Sequence, residues 1–207
     1  MFELLHRKKA VVSLDNYRYC LQILSFLRIN SYHFIYTQTF WYGGPNGELG
    51  ASLRYLSQRF TMPDDMTKGL LTDIATEELG HLEMVGTLVT QLSDGTCGKD
   101  WLEMKSAEYY ADNVVSVYPQ NAQGTPFNAA SIAVTGDPLT NLYEDLAAEQ
   151  KARAVYDNIL RLSDDPDVNE VIKFLRQREI VHFQRFGEAL DTLQQKLREK
   201  QKFYMNK

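Results

Sequence analysis

Apolar residues recur every three or four positions along four long stretches of the chain, which cover 46–61, 66–93, 138–163 and 167–200. This period places them on one face of an α-helix, so the pattern predicts four amphipathic helices. The first two helices, and likewise the last two, have short connections and should be antiparallel. The link from about 93 to 138 is long enough to cross back along a bundle. The pattern therefore predicts an all-α fold, a four-helix bundle with one long crossover between the second and third helices.

Charged residues occupy core positions in two of these helices. The tetrapeptides Glu78-Leu79-Gly80-His81 and Glu179-Ile180-Val181-His182 each place a carboxylate and an imidazole on the apolar face, three residues apart. A buried carboxylate is strongly unfavourable unless it is paired, and a divalent metal ion between facing helices pairs with it directly. The two apolar faces are Leu71, Ile74, Glu78, His81, Val85, Leu88 and Leu92, and Val168, Ile172, Leu175, Glu179, His182, Phe186, Ala189 and Leu193.

The other two helices each contribute one further glutamate in a comparable setting. Glu48 lies near the start of the first helix, and Glu149 shares a face with Leu142 and Leu146. One Glu from each of two helices plus Glu-x-x-His from each of two others is the ligand set of the ferritin-like bundles that hold two iron or manganese ions. The alternative for each His is a core residue bonded to a neighbouring carboxylate. The similar tetrapeptide Glu3-Leu4-Leu5-His6 has no apolar stripe around it and is not expected to bind metal.

Composition and charge exclude several classes of protein. The chain has 207 residues, 44% of them hydrophobic, which is enough for one domain with a substantial core. Its net charge of −5 and the lack of a basic stripe disfavour nucleic-acid binding. The apolar segment 21–27 is too short to span a bilayer, and the N-terminus lacks the pattern of a signal peptide. Cys20 and Cys97 show no pairing pattern, which is typical of a reducing cytoplasm.

Five segments carry further motif residues in the same order as the predicted ligands. They are Gly43-Gly44-Pro45-Asn46-Gly47-Glu48-Leu49, Arg54-Tyr55-Leu56-Ser57-Gln58-Arg59, Thr76-Glu77-Glu78-Leu79-Gly80-His81-Leu82-Glu83-Met84, Asp145-Leu146-Ala147-Ala148-Glu149-Gln150-Lys151-Ala152-Arg153 and Arg178-Glu179-Ile180-Val181-His182. Together they resemble the manganese catalases, with the best match to the short manganese-catalase-like spore-coat proteins of endospore-forming bacteria. The resemblance implies a two-manganese site that disproportionates hydrogen peroxide to water and oxygen.

The resemblance also implies an assignment of ligands. Glu48, Glu78 and His81 would bind one manganese ion, Glu149 and His182 would bind the other, and Glu78 would bridge the two.

Two further residues would act from outside this ligand set. Glu179 matches a family glutamate that would accept and return protons, and Tyr55 would donate a hydrogen bond that orients a ligand. Some family members carry a cationic side chain immediately before the third-helix glutamate, and here that position is Ala148. A slow turnover is consistent with this difference. The resemblance further implies a homo-oligomer, with a hexamer as the expectation.

The chain is expected to have three parts. Residues 1–42 form a divergent aromatic-rich N-terminal segment, interpreted as a buried helix, an interface-covering arm or a surface for self-assembly. Residues 43–200 form the ferritin-like dimanganese bundle, and 201–207 form a basic C-terminal tail. The two Glu-x-x-His helices suggest an old duplication of a helix pair.

Three functions remain open on this evidence. The first is a manganese catalase, cytoplasmic or deposited in a spore coat with other coat proteins. The second is a diiron carboxylate protein acting as a ferroxidase or peroxidase, because the same oxygen and nitrogen donors bind two iron ions. The third is a structural coat protein whose metal site holds the fold together. Glu179 argues against the third, because a purely structural site has no evident need for an extra buried carboxylate.

Overall fold

The computed structural model describes residues 42–93, 119–120 and 125–205, and within these ranges the fold consists of helices and connecting turns without a β-strand. Single turns of 3-10 helix lie at Arg59–Thr61 and Ala129–Ser131. The sequence prediction of an all-α, four-helix, ferritin-like bundle is confirmed. Among the described residues, no helix combines the length and the apolar composition needed to cross a bilayer. The four α-helices whose full extent lies within the described residues are α1 (Glu48–Gln58), α2 (Asp65–Ser93), α3 (Pro138–Leu162) and α4 (Pro166–Met205).

Aspartates define the starts of three helices. The Asp64 carboxylate accepts the backbone N–H of Thr67 at 2.9 Å, just before α2. Asp137 accepts two backbone N–H groups in the first turn of α3, and Asp165 does the same for α4. These carboxylates satisfy donors that have no partner within the helix. Pro138 and Pro166 each follow the capping aspartate, a position where proline needs no N–H and its fixed φ suits the helix.

The observed boundaries differ most from the predicted ones at the start of α1 and the end of α4; the others agree within one residue when the 3-10 turn Arg59–Thr61 is counted with α1. Helix α1 begins at Glu48 rather than at 46, because Gly47 has extended backbone with φ −86° and ψ 175°. Helix α4 continues to Met205, beyond the predicted end at 200 and into the segment predicted as a tail. Several predictions lie outside the described residues, namely those for the N-terminal aromatic segment up to residue 41, for Glu3 and His6, for Cys20 and Cys97, and for most of the crossover between α2 and α3.

The core consists of two apolar clusters that lie at opposite ends of a layer of polar side chains. The first cluster is Val85, Leu88, Ala152, Tyr156, Ile159, Val168, Ile172 and Leu175. The second is Tyr55, Met62, Leu71, Ile74, Ala75, Leu142, Phe186, Leu190 and Leu193. Along α2 the chain passes from the second cluster through Glu78 and His81 to the first, and along α4 it passes in the opposite direction. The two helices are therefore antiparallel, and their Glu-x-x-His motifs meet in the middle of the bundle.

Candidate metal centre

Six titratable side chains from all four helices form this polar layer, and none is more than 2% exposed. They make two overlapping groups whose nitrogen and oxygen atoms lie within 4.8 Å of one another, and Glu78 and Glu179 belong to both groups. The structure therefore brings together all the residues that the sequence analysis named as metal ligands. The layer contains Glu48 from α1, Glu78 and His81 from α2, Glu149 from α3, and Glu179 and His182 from α4.

Glu78 is at the centre of this layer. Its Oε2 lies 2.7 Å from His81 Nδ1, and its Oε1 lies 2.8 Å from His182 Nδ1. Both histidines therefore present Nδ1 to the same carboxylate, and their imidazole rings stack with centroids 5.5 Å apart. Glu179 is less central, with Oε1 3.6 Å from His81 Nδ1. The two motifs thus have equal spacing in the sequence but unequal contacts in the structure.

Two buried tyrosines donate hydrogen bonds to Glu48 and Glu149, the glutamates of α1 and α3, in a reciprocal arrangement. Tyr55 of α1 donates its hydroxyl to Glu149 Oε1 of α3 at 2.5 Å, and Tyr156 of α3 donates to Glu48 Oε1 of α1. Burial, together with the nearby carboxylates, raises the pKa of both phenols well above the usual value, so both remain protonated donors. The sequence analysis named Tyr55 and missed Tyr156.

The missed tyrosine has a signal in the sequence. Tyr55 follows Glu48 by seven residues, and Tyr156 follows Glu149 by the same interval. Every pair of equivalent positions in the layer is separated by 101 residues, the separation of Glu77 and Arg178. The site therefore has an approximate twofold repeat, in which α1 and α2 correspond to α3 and α4. The equivalent pairs are Glu48 and Glu149, Tyr55 and Tyr156, Glu77 and Arg178, Glu78 and Glu179, and His81 and His182.

Four carboxylates and two imidazoles share this buried layer, so the carboxylates repel one another. Burial raises the pKa of Glu48, Glu149 and Glu179, and repulsion by Glu78 raises it further. Burial also acts to raise the pKa of Glu78, but the contacts with the two histidines outweigh it and hold that pKa well below the usual value. For His182 burial acts to lower the pKa, whereas Glu149 and Glu78 raise it to about 11. A set of four carboxylates and two imidazoles without a metal ion is therefore neutralised by bound protons.

Unpartnered atoms in the layer fit a metal. Five buried atoms of the layer make no hydrogen bond, namely Glu78 Oε1, His81 Nε2, Glu149 Oε2, Glu179 Oε1 and His182 Nδ1. Glu78 Oε1 and His182 Nδ1 lie 2.8 Å apart as an ion pair, but not in hydrogen-bonding geometry. A buried polar atom without a hydrogen-bond partner is unfavourable by about 1–3 kcal/mol, so five of them at one place are unusual. Carboxylate oxygen and imidazole nitrogen are suitable ligands for manganese and iron. These residues can therefore hold two such ions.

An ion pair lies just outside the layer, between α2 and α4. Arg178 binds Glu77 in a bidentate manner, with Nε to Oε1 at 2.5 Å and Nη2 to Oε2 at 3.0 Å. Glu77 Oε2 also lies 3.1 Å from His182 Nε2. Burial acts to raise the pKa of Glu77, but Arg178 and His182 outweigh it and lower that pKa. Glu77 is therefore an anion beside the outer edge of a candidate ligand.

A second buried polar cluster flanks the layer on the α1 and α3 side. Arg54 is 2% exposed, and Gln58 and Asp145 are fully buried. Arg54 Nε and Nη1, Gln58 Oε1 and both carboxylate oxygens of Asp145 have no hydrogen-bond partner. Burial raises the pKa of Asp145 well above the usual value, although Gln58 and Arg54 oppose the shift.

Comparisons with known proteins identify the family to which the chain is similar. The family described as manganese containing catalase matches residues 37–202. Protein CotJC of Bacillus subtilis is 48% identical over 163 residues, which cover 79% of this chain and 85% of that protein. A probable manganese catalase of Clostridium acetobutylicum is 36% identical over 151 residues, covering 73% of this chain and 67% of that protein. The crystal structure of KatB, a manganese catalase from Anabaena, aligns with a TM-score of 0.70 and 33% identity over 79% of this chain and 73% of that one.

Proposed function

Because the chain belongs to the manganese-containing catalase family, we propose that it binds two manganese ions and converts hydrogen peroxide to water and oxygen. The observation that carries the proposal is the polar layer, in which four glutamates and two histidines converge with unpartnered buried atoms. When bound, two manganese ions supply the electron exchange that the disproportionation of peroxide requires. The protein contributes ligands, proton transfer and a water-poor environment.

We assign Glu48, Glu78 and His81 to one ion and Glu149 and His182 to the other, with Glu78 as the bridge. The contacts of Glu78 support this assignment, since its two oxygens face the Nδ1 atoms of different histidines. The tyrosine hydroxyls donate to Glu48 and Glu149, and each therefore leaves the second oxygen of its glutamate available for the metal.

Glu179 is proposed to move protons between peroxide and solvent. Its side chain is 2% exposed, and its Oε1 has no hydrogen-bond partner. A buried carboxylate at hydrogen-bonding distance from a reacting group can accept a proton and return it in the next step. The position immediately before Glu149 is the buried Ala148, so this position supplies no cation that could act on Glu179. We therefore expect a lower rate than in relatives with a cation there.

Two conservative variants test the division of roles. Glu179→Gln should retain two manganese ions and lose oxygen evolution by about a hundredfold or more, the usual scale of general acid–base catalysis. Glu149→Gln should instead lower manganese affinity, because a neutral amide is a weaker ligand than a carboxylate. Metal content and oxygen evolution are measured on the same preparations. If Glu179→Gln loses metal as Glu149→Gln does, Glu179 is a ligand and the proposed proton role is wrong.

A second candidate function is a structural component of the spore coat, in which the ions hold the helices together. The similarity to Protein CotJC and the presence of Ala148 favour it. Manganese-loaded protein that evolves no oxygen, but melts at a higher temperature than the metal-free protein, would support this candidate. Iron remains the alternative metal, and oxygen consumption during the oxidation of Fe²⁺, or peroxide turnover with an added reductant, tests a ferroxidase or a peroxidase. In either case we expect a homo-oligomer in the cytoplasm or in the coat.

A further inference from the structure

Glu77 faces the outer nitrogens of both histidines in the polar layer. Its Oε2 lies 3.1 Å from His182 Nε2, and its Oε1 lies 3.8 Å from His81 Nε2. Arg178 holds the carboxylate in this orientation through both of its oxygens. The Glu77 side chain is 30% exposed, so it belongs to the boundary of the site rather than to the buried ligands.

The protonation of an imidazole decides which nitrogen can bind a metal. A neutral ring carries one proton, and an acceptor at Nε2 keeps that proton there, so that Nδ1 is the free donor. His182 Nδ1 points into the layer, 2.8 Å from Glu78 Oε1 and 3.6 Å from Glu149 Oε2. A hydrogen bond from His182 Nε2–H to Glu77 therefore selects the nitrogen that faces the candidate metal.

We propose that Glu77, fixed by Arg178, is a positioning residue that holds His182, and to a lesser extent His81, ready to bind manganese through Nδ1. This inference rests on the proposed function, because it concerns the same two ions. The distances give the order of the two effects. The contact with His182 is a direct hydrogen bond, whereas the distance of 3.8 Å to His81 Nε2 is too long for one.

A second ion pair between the same helices provides a matched control. Arg185 of α4 binds Asp73 of α2 with Nη2 to Oδ2 at 2.5 Å, one helical turn from Glu77 along α2. Both pairs join α2 to α4, but no histidine in the described part of the chain is bonded to Asp73. If the Glu77–Arg178 pair only stabilises the packing of α2 against α4, Glu77→Ala and Asp73→Ala should have similar effects on stability and on metal binding. If it positions His182, only Glu77→Ala should change metal binding.

The experiment is a titration of metal-free protein with Mn²⁺ in competition with a chromophoric chelator. Glu77→Ala should bind at least one ion about 10- to 100-fold more weakly than wild type, the usual effect of removing a partner of a ligating histidine. Asp73→Ala should bind both ions as wild type does. Glu77→Gln keeps an acceptor oxygen but loses the charge that pairs with Arg178, so its manganese affinity should lie between those of Glu77→Ala and wild type. This variant serves as the test if Glu77→Ala fails to fold. The electron paramagnetic resonance spectrum of Mn²⁺-saturated Glu77 variants should differ from that of wild type.

The outcomes separate this inference from the proposed function. Wild type that binds no Mn²⁺ overturns both. Wild type that binds two ions, together with Glu77 variants that bind them equally well, overturns the positioning role alone. Equal losses of affinity in Glu77→Ala and Asp73→Ala, accompanied by equal drops in the melting temperature of the metal-free protein, assign the Glu77–Arg178 pair to fastening the helices and also overturn the role.

Discussion

The hydroxyl of Tyr156 can be removed with little change to the packing around it. Phe has the same ring, and the ring of Tyr156 is fully buried in the first apolar cluster, where it should remain in Tyr156→Phe. The variant removes the hydrogen bond that Tyr156 donates to Glu48. A hydrogen bond to an ionised group contributes about 1.5–3 kcal/mol, against about 1 kcal/mol for one between neutral groups.

The difference between these two values sets the expected effect. In the metal-free protein burial raises the pKa of Glu48, so the hydroxyl there donates to a group that favours its neutral form. Manganese requires the ionised carboxylate, for which the hydroxyl is worth more. Tyr156→Phe should therefore lower manganese affinity by about 0.5–2 kcal/mol, roughly 2- to 30-fold, and the unfolding free energy of the metal-free protein by only about 1 kcal/mol.

Tyr55→Phe is the matched comparison, because Tyr55 binds Glu149 in the equivalent position. A competition titration with Mn²⁺ and a urea denaturation of the metal-free protein measure the two quantities for each variant. The two substitutions should give similar losses. Unchanged manganese affinity in Tyr156→Phe, with a full loss in Tyr55→Phe, would refute the idea that the two tyrosines have equivalent roles.

Three further predictions concern the layer, its flank and the helices around it. His81→Ala and His182→Ala should each lose at least one of the two ions and lower the melting temperature of the manganese-loaded protein. Metal analysis and calorimetry measure these two quantities. Unchanged metal content and melting temperature in both variants would make the histidines ordinary core residues. The contribution of Asp145 to the stability of the metal-free protein should fall as pH rises from the usual Asp pKa of 3.8, because burial raises the pKa of Asp145 in the folded state and the unfolded chain releases its proton first. Asp145→Asn should therefore be more stable than wild type near neutral pH, by a margin that shrinks towards about pH 4 in urea denaturation, and a constant margin would contradict the cause given. Gly69→Ala should stabilise the protein by about 0.5–1 kcal/mol, because nothing lies within 4 Å of the new Cβ. Gly50→Ala should destabilise the protein, because its Cβ would lie 2.9 Å from Pro45 O. Thermal melting compares the two variants, and a loss of stability in Gly69→Ala would contradict the first expectation.

The helices and the polar layer could be predicted because each depends on a local pattern. Glu78 and His81 interrupt an apolar stripe, and a stripe must face the core whatever it packs against. Helix ends were harder to place. The backbone of Gly47 is extended and delays the start of α1, and α4 continues to Met205 because no glycine or proline follows residue 187 to stop it.

Contacts between helices were less accessible to the sequence analysis. Glu77 lies one position before a predicted ligand, where a helical pattern expects a solvated side chain, and only the packing of α4 brings Arg178 against it. Tyr156 is different, since its spacing from Glu149 repeats that of Tyr55 from Glu48. A comparison of the two halves of the chain would have predicted it. That Glu78 contacts both histidines and Glu179 does not could not be predicted, because the two motifs have the same spacing.

The pairing of Glu77 with Arg178 has a consequence for the symmetry of the molecule. A dimer of two identical helix pairs could reproduce the single glutamates, both tyrosines and both Glu-x-x-His motifs, since each has an equivalent in the other half. It could not reproduce this ion pair. Identical halves would bring two carboxylates or two guanidinium groups together at that position, and like charges repel. One acid and one base at equivalent positions require two halves that differ in sequence, so a single chain can build an uneven centre that a symmetric dimer cannot.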